Sequence, residues 1–198
     1  MIMNRTAVVE RKTKETKISL EINLDGNGIY DVSTGVPFLD HMLELFAKHG
    51  LFDLKLQASG DVEVDDHHTV EDIGMCLGEA VNKALGDKRG IKRYGFFLLP
   101  MDEALAEVAI DLSGRPFVVY NVEWQQEKIK TFDTSLVEEF WRGFGTRALA
   151  NLHINVRYGK DAHHVCEALF KAVARALDVA SLIDSRRTDI PSTKGTLT

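Results

Sequence analysis

His67-His68-Thr69-Val70-Glu71 and His163-His164-Val165-Cys166-Glu167 are two copies of one pattern, His-His-x-x-Glu. A spacing of four puts His67 and Glu71 on the same face of a helix, one turn apart. His68 points about a quarter-turn away and can serve a second ion. The same holds for His163, Glu167 and His164. Imidazole nitrogen combined with carboxylate oxygen suits Mn, Fe, Co, Ni or Zn better than Ca or Mg. No thiolate belongs to the set, which argues against a structural zinc site. One His-His pair in a polar loop is ordinary surface. Two copies in register point to metal.

Working outward, each motif opens a stretch with helical apolar spacing. The first runs from His67 to Leu85 and is closed by Gly86; the second runs from His163 to Leu177. Each follows a strand: Phe52 to Ala58 alternates and stops at Ser59-Gly60-Asp61, and Asn151 to Tyr158 stops at Gly159. Each strand follows a helix. Pro37 opens one over Phe38 to Phe46, and the other covers Ser135 to Ala148. Earlier still, residues 5–10 alternate and lead into a half-buried strand with Ile18, Leu20, Ile22 and Leu24 on one face. Asp25-Gly26-Asn27-Gly28 predicts a hairpin into Ile29 to Ser33. In the second half Ala104 to Asp111 alternates, Gly114-Arg115-Pro116 turns, and Phe117 to Val122 is a strand.

Both halves therefore read strand, strand, helix, strand, helix. The expected fold is α+β: a duplicated ββαβα unit forming a sheet layer with helices on one face. Residues 1–95 and 96–186 are the two halves, joined without a linker, and 187–198 form a tail. Superposing the earlier helices places Phe38-Leu39-Asp40-His41 on Leu136-Val137-Glu138-Glu139. His41 and Glu139 thus become candidate ligands, with Glu138 a close competitor. Asp65, Asp66, Asp72 and Asp161 flank the motifs and can offset the partial positive charge of a helix N-terminus. His153, in mid-strand, reads as structural. His49, beside Gly50 at a helix end, reads as a cap.

The gross numbers agree with a globular protein. In 198 residues, 44% are hydrophobic and 27% charged, enough to bury a core without staples. A net charge of -6 argues against general nucleic-acid or membrane-surface binding. Cys76 and Cys166 share no C-x-x-C spacing, so a reducing cytoplasm is the simplest compartment. Met1 to Glu10 is too polar for a signal peptide, and no apolar run approaches a membrane span.

Taken together, these blocks resemble the imidazoleglycerol-phosphate dehydratase family. The resemblance rests on Phe38-Leu39-Asp40-His41-Met42, Asp65 to Asp72, Arg93-Tyr94-Gly95, Pro100-Met101-Asp102-Glu103, Ser113-Gly114-Arg115-Pro116, His163 to Ala168 and Pro191-Ser192-Thr193-Lys194-Gly195. It covers essentially the whole chain, in order. It implies a ribosomal protein S5 domain 2-like fold and dehydration of imidazole glycerol phosphate to imidazole acetol phosphate in histidine biosynthesis. It also implies two manganese ions per active site and a homo-oligomer of 24 subunits, with metal sites where subunits meet.

By the same resemblance, one ion takes His41, His67 and Glu71 with a histidine of the second motif. The other takes His68, His163 or His164, and Glu167, with the position of Glu139, where some members carry histidine. Glu15, Glu71 and Glu167 form the expected catalytic set. Glu15, His49, Arg93, Arg115, Ser192, Thr193 and Lys194 form the substrate-binding set, with the tail ordering over the substrate. From the residues alone Glu15 is a solvated strand-edge charge; only the resemblance makes it an acid/base group. The chemistry is coherent. The substrate's imidazole is itself a metal ligand, and arginine offers a fork to phosphate. One rival is another histidine-rich binuclear enzyme acting on a phosphorylated small molecule, such as a phosphoesterase, although those favour Asp-rich motifs. A metal sensor is the other, but no basic DNA-reading helix is apparent.

Overall fold

The computed structural model describes residues 5–197. The first half contains β1 (Thr6–Lys12), β2 (Thr16–Asn23), β3 (Tyr30–Ser33), α1 (Pro37–Gly50), β4 (Asp53–Gly60) and α2 (His67–Leu85). The second contains β5 (Tyr94–Met101), β6 (Ala104–Asp111), β7 (Phe117–Asn121), the short pair β8 (Lys128–Ile129) and β9 (Phe132–Asp133), α3 (Leu136–Ala148), β10 (Asn151–Tyr158) and α4 (Ala162–Ser181).

The duplication is visible in the pairing. One sheet has the order β1-β2-β4-β3 and the other β5-β6-β10-β7. Ile22 sits opposite Leu54 in the first, and Ile110 opposite Leu152 in the second. Two expectations are corrected. Each half has a further leading strand, β1 or β5, and the halves build two separate sheets rather than one sheet layer. Gly95, Phe97 and Leu99 turn inward on β5 while Tyr94, Phe96 and Leu98 face out, so apolar residues on both faces masked its alternation. β5 also straddles the boundary expected at residues 95 and 96.

A third correction concerns the turn at Asp25 to Gly28. β2 and β3 do not form a hairpin. β4 lies between them, antiparallel to β2 and parallel to β3. The second half repeats this arrangement, with β10 antiparallel to β6 and parallel to β7.

α1 and α2 cover one face of the first sheet, and α3 and α4 cover one face of the second. The helices then pack on each other, α2 on α3 and α1 on α4, so all four lie between the sheets. Small residues set the α2–α3 distance. A Cβ at Gly74 would lie 2.3 Å from the Phe140 carbonyl, and one at Gly78 2.2 Å from that of Phe144. Trp141, fully buried among Phe46, Phe140, Phe144 and Phe170, fills the centre where the two halves meet. This close packing brings the N-termini of all four helices towards one end of the molecule, where the histidines are. Among the described residues, no helix is long and apolar enough to cross a membrane.

Candidate functional site

His41, His163 and Glu167 converge. Their ligand atoms all lie within 4.8 Å of one another. His41 comes from the second turn of α1, and the other two are one turn apart at the start of α4. His41 Nε2 is 3.2 Å from Glu167 Oε1, and His163 Nε2 is 2.9 Å from the same oxygen. Phe38 meets the His163 ring edge-on at 5.4 Å and limits its rotation. Asp161 caps α4 by accepting from the His163 N–H. Burial works against charge on Glu167, but hydrogen bonds from Lys171, His163 and His41 prevail and hold its carboxyl down at about 2. It is therefore an anion at neutral pH. Two imidazole nitrogens facing one ionised, nearly buried carboxylate make a donor set that fits a borderline divalent ion such as manganese.

The first motif lies across the same recess. His41, His67 and His163 all line a cavity of about 850 Å³ together with Asp65, Asp66 and the β8–β9 hairpin. His67 Nε2 stands 3.9 Å from Glu71 Oε2. Glu139 sits one turn before Gly143 on α3, and a Cβ at Gly143 would meet the backbone of Glu71 and Met75. With α2 and α3 running parallel, helical periodicity directs Glu139 towards the His67–Glu71 turn. Its competitor Glu138 is engaged by Arg142. The grouping within the chain thus differs from the one the resemblance implies. His41 sits with the second motif, not with His67 and Glu71.

His68 and His164 point elsewhere. His68 Nδ1 is 3.1 Å from Asp61, and His164 Nδ1 is 2.7 Å from Glu103. The hydrogen bond to Asp61 raises the His68 pKa, and the charge of Glu15 adds to it. Glu15 therefore stands within electrostatic reach of His68. It is exposed, on the turn between β1 and β2, with its N–H on Thr13 Oγ1 and its carbonyl receiving Asp61 N–H. His49 lies two turns beyond His41. Burial and the charges of Lys171 and Arg175 lower its pKa, and its carbonyl accepts from Arg175.

The remaining predicted residues gather around a second recess, of about 520 Å³, lined by Arg93, Arg115, Arg187, Ser192, Thr193 and Lys194. Arg93 does not present its fork to this space. Its Nε and Nη2 donate to Asp111 at 2.7 and 3.0 Å, and Nη1 donates to the Pro191 carbonyl. It braces the tail, while Arg115, Arg187 and Lys194 are exposed cations, Arg187 with its Nη1 3.7 Å from Asp189. The tail folds back on the body through Gly90 N–H to Asp189 and a turn closed by Gly195 N–H to Ser192. Arg93 N–H bonds Ala180 near the end of α4, whereas His163 is near its start. At 1.5 Å per residue the two recesses stand about 25 Å apart.

Sequence reasoning missed Asp61, Asp102, Glu103 and Lys171 as members of these sites. Asp102 Oδ2 stands 3.6 Å from His164 Nε2. Two signals point to Glu103: it lies in the block Pro100-Met101-Asp102-Glu103 that carries the resemblance, and Glu15 and Glu103 both immediately precede the second strand of their half.

Comparison with known proteins identifies the family. The family model for imidazoleglycerol-phosphate dehydratase matches residues 34–177. The imidazoleglycerol-phosphate dehydratase of Citrifermentans bemidjiense is 58% identical over 195 residues, covering 98% of this chain and 100% of the relative. That of Bacillus licheniformis is 59% identical over 193 residues, with the same coverage. Among solved structures, the Staphylococcus aureus enzyme superposes with a TM-score of 0.83 at 40% identity, over 90% of this chain and 99% of that one. The Pyrococcus furiosus enzyme, in complex with (S)-C348, gives 0.83 at 36%, over 96% and 100%. With its histidine repeat, duplicated sheets and full-length similarity, the chain belongs to the imidazoleglycerol-phosphate dehydratase family, hydro-lyases of histidine biosynthesis.

Proposed function

We propose that the chain dehydrates D-erythro-imidazole glycerol phosphate at a dinuclear manganese site assembled between copies of itself. The convergence of His41, His163 and Glu167 carries this reading. These three would hold one ion from one side, and His67, Glu71 and Glu139 form the related set from the duplicated half. His68 and His164, turned away from this recess to Asp61 and Glu103, are left to meet ions shared with a neighbouring copy. When bound, manganese would act as a Lewis acid towards the substrate's ring nitrogens.

The chain's own residues supply the rest. Glu15 moves a proton at the ring and side chain, an acid/base duty that needs an exposed carboxylate on a fixed backbone. Lys171 keeps Glu167 ionised. Arg115 and Lys194 neutralise the phosphate, and Ser192 and Thr193 add hydroxyl donors beside them. Arg93 holds the tail in place through Asp111.

Two observations support assembly. A three-carbon chain between ring and phosphate cannot cover the roughly 25 Å between the recesses, so one substrate must draw on two copies. The outer face of the second sheet also carries Tyr94, Phe96, Leu98 and Phe117, all about half exposed or more. The first sheet shows Thr6, Val8 and Glu10 in the places of Tyr94, Phe96 and Leu98, with Lys17, Ser19, Glu21 and Lys55 beside them, so Val8 alone of these is apolar. An apolar sheet face of this kind is an interface between subunits.

The test is an assay with imidazole glycerol phosphate and manganese, following the enolised ketone by absorbance, with metal analysis of His163→Ala. We expect turnover by the wild type, and loss of both activity and at least one ion per chain in the variant. Hydrolysis of simple phosphate esters without dehydration would favour the phosphoesterase class instead. Two ions retained by His163→Ala would remove His163 from the ligand set.

A further inference from the structure

The two halves hold the second histidine of each motif by different means, and the difference bears on which glutamate is left to react. Glu15 and Glu103 occupy equivalent places, each immediately before the second strand of its half. Glu103 is fully engaged. Its Oε1 accepts the N–H groups of Lys160 and Asp161 at 3.2 and 2.8 Å, and its Oε2 faces His164 Nδ1 at 2.7 Å. In the first half that duty falls to Asp61, whose carboxylate lies 3.1 Å from His68 Nδ1. Loop length explains the exchange. Residues 61–66 join β4 to α2, whereas only 159–161 join β10 to α4. The longer loop brings its own carboxylate to the imidazole; the shorter one has Asp161 occupied in capping α4.

A carboxylate at Nδ1 holds the proton there and leaves the Nε2 lone pair as the ligand atom. We propose that Asp61 and Glu103 are positioning residues that fix His68 and His164 with Nε2 presented outward, and that Asp61, by taking this duty in the first half, frees Glu15 for proton transfer. The proposal rests on the reading of His68 and His164 as metal ligands.

Glu103→Gln is the decisive substitution. Its amide oxygen stays with the two backbone N–H groups, so its NH2 faces His164 Nδ1. The ring proton is then driven to Nε2, and the ligand lone pair is lost. Asp61→Asn puts a neutral amide in place of the charged acceptor at His68 Nδ1, which weakens its hold on the ring proton. Manganese is titrated into metal-depleted wild type, Asp61→Asn, Glu103→Gln, Glu103→Asp, Glu15→Gln, His68→Ala and His164→Ala, with free manganese read by electron paramagnetic resonance. We expect His68→Ala and His164→Ala to lose bound manganese. Asp61→Asn and Glu103→Gln should weaken binding by ~10–100-fold, with Glu103→Asp recovering part of it and Glu15→Gln binding as the wild type does. Wild-type binding by both alanine variants would defeat the ligand reading itself. Loss in those two with unchanged affinity in Asp61→Asn and Glu103→Gln would overturn the positioning role alone. Weakened binding in Glu15→Gln would overturn the division of labour between Asp61 and Glu15.

Discussion

Glu15 is an exposed side chain on a backbone with little freedom. Thr13 Oγ1 receives the N–H groups of both Glu15 and Thr16, and Thr16 Oγ1 donates to the buried carboxylate of Asp72, next to Glu71 on α2. Arg11 closes the cluster with a 2.8 Å ion pair to Asp72. The turn is thus fixed to the helix that carries the first motif. Replacing Glu15 by Gln should leave both ions bound and this cluster intact, yet lower turnover by ~100-fold or more, the scale of general acid/base catalysis. Steady-state kinetics with metal analysis checks this, and near-normal kcat would take Glu15 out of the mechanism. The tie to Thr13 is local, but those to Asp61 and Asp72 could not be read from Lys14-Glu15-Thr16, because these two partners are 46 or more positions away. Glu167 was the opposite case, since the helical period alone aligns it with His163. Lys171 extends that period by one more turn, but a lysine there looks like an ordinary solvated i, i+4 pair. Its burial against Glu167 is a tertiary fact.

At the scale of elements, the insertion of β4 between β2 and β3 decides where α1 starts, and with it His41. The sequence Asp25-Gly26-Asn27-Gly28 has good hairpin chemistry, yet the chain crosses over instead. Asp53, the first residue of β4, accepts the N–H groups of Asn27 and Ile29 at 2.8 and 3.0 Å and so wraps the turn around the incoming strand. Gly26 permits this, for a Cβ there would lie 2.4 Å from Asp53 N. Turn composition is local, while the competing acceptor arrives from a strand not yet made, so pattern reading favoured the hairpin. Partial burial disfavours charge on Asp53, but these backbone hydrogen bonds outweigh it and lower its pKa below 3.8. With the folded value depressed, its stabilisation is complete above the unfolded value and is lost as pH falls through the folded one. Asp53→Ala should therefore cost about 2–3 kcal/mol at neutral pH. The gap from the wild type should shrink once pH drops below about 4. Thermal unfolding of both proteins at pH 7 and pH 3 tests this, and a gap that is the same at both would rule it out.

At the scale of the whole molecule, the proposed reaction needs both recesses, because one carries the candidate metal ligands and the other the candidate phosphate contacts. The helix N-termini gather the histidines at one end, and Arg115, Lys194 and the tail lie about 25 Å away along α4. Periodicity placed the histidines on their helices and the resemblance alone gave the phosphate set, but the distance between them depends on how helices pack between two sheets. If one substrate takes its metal from one copy and its phosphate contacts from another, two dead variants should rescue each other. His163→Ala lacks the metal end and Lys194→Ala the phosphate end, and each alone should be nearly inactive. Co-expressed in equal amounts with different tags and purified through both, they should form mixed oligomers. With random assembly, about a quarter of sites would pair an intact metal end with an intact phosphate end, setting the upper limit of recovered activity. Mixing the purified variants without exchange of subunits should recover none. A mixed oligomer no more active than the average of its parents would mean that each chain completes its own site. The chain would then have to bend its tail across the length of α4, breaking the Arg93–Asp111–Pro191 brace to do so.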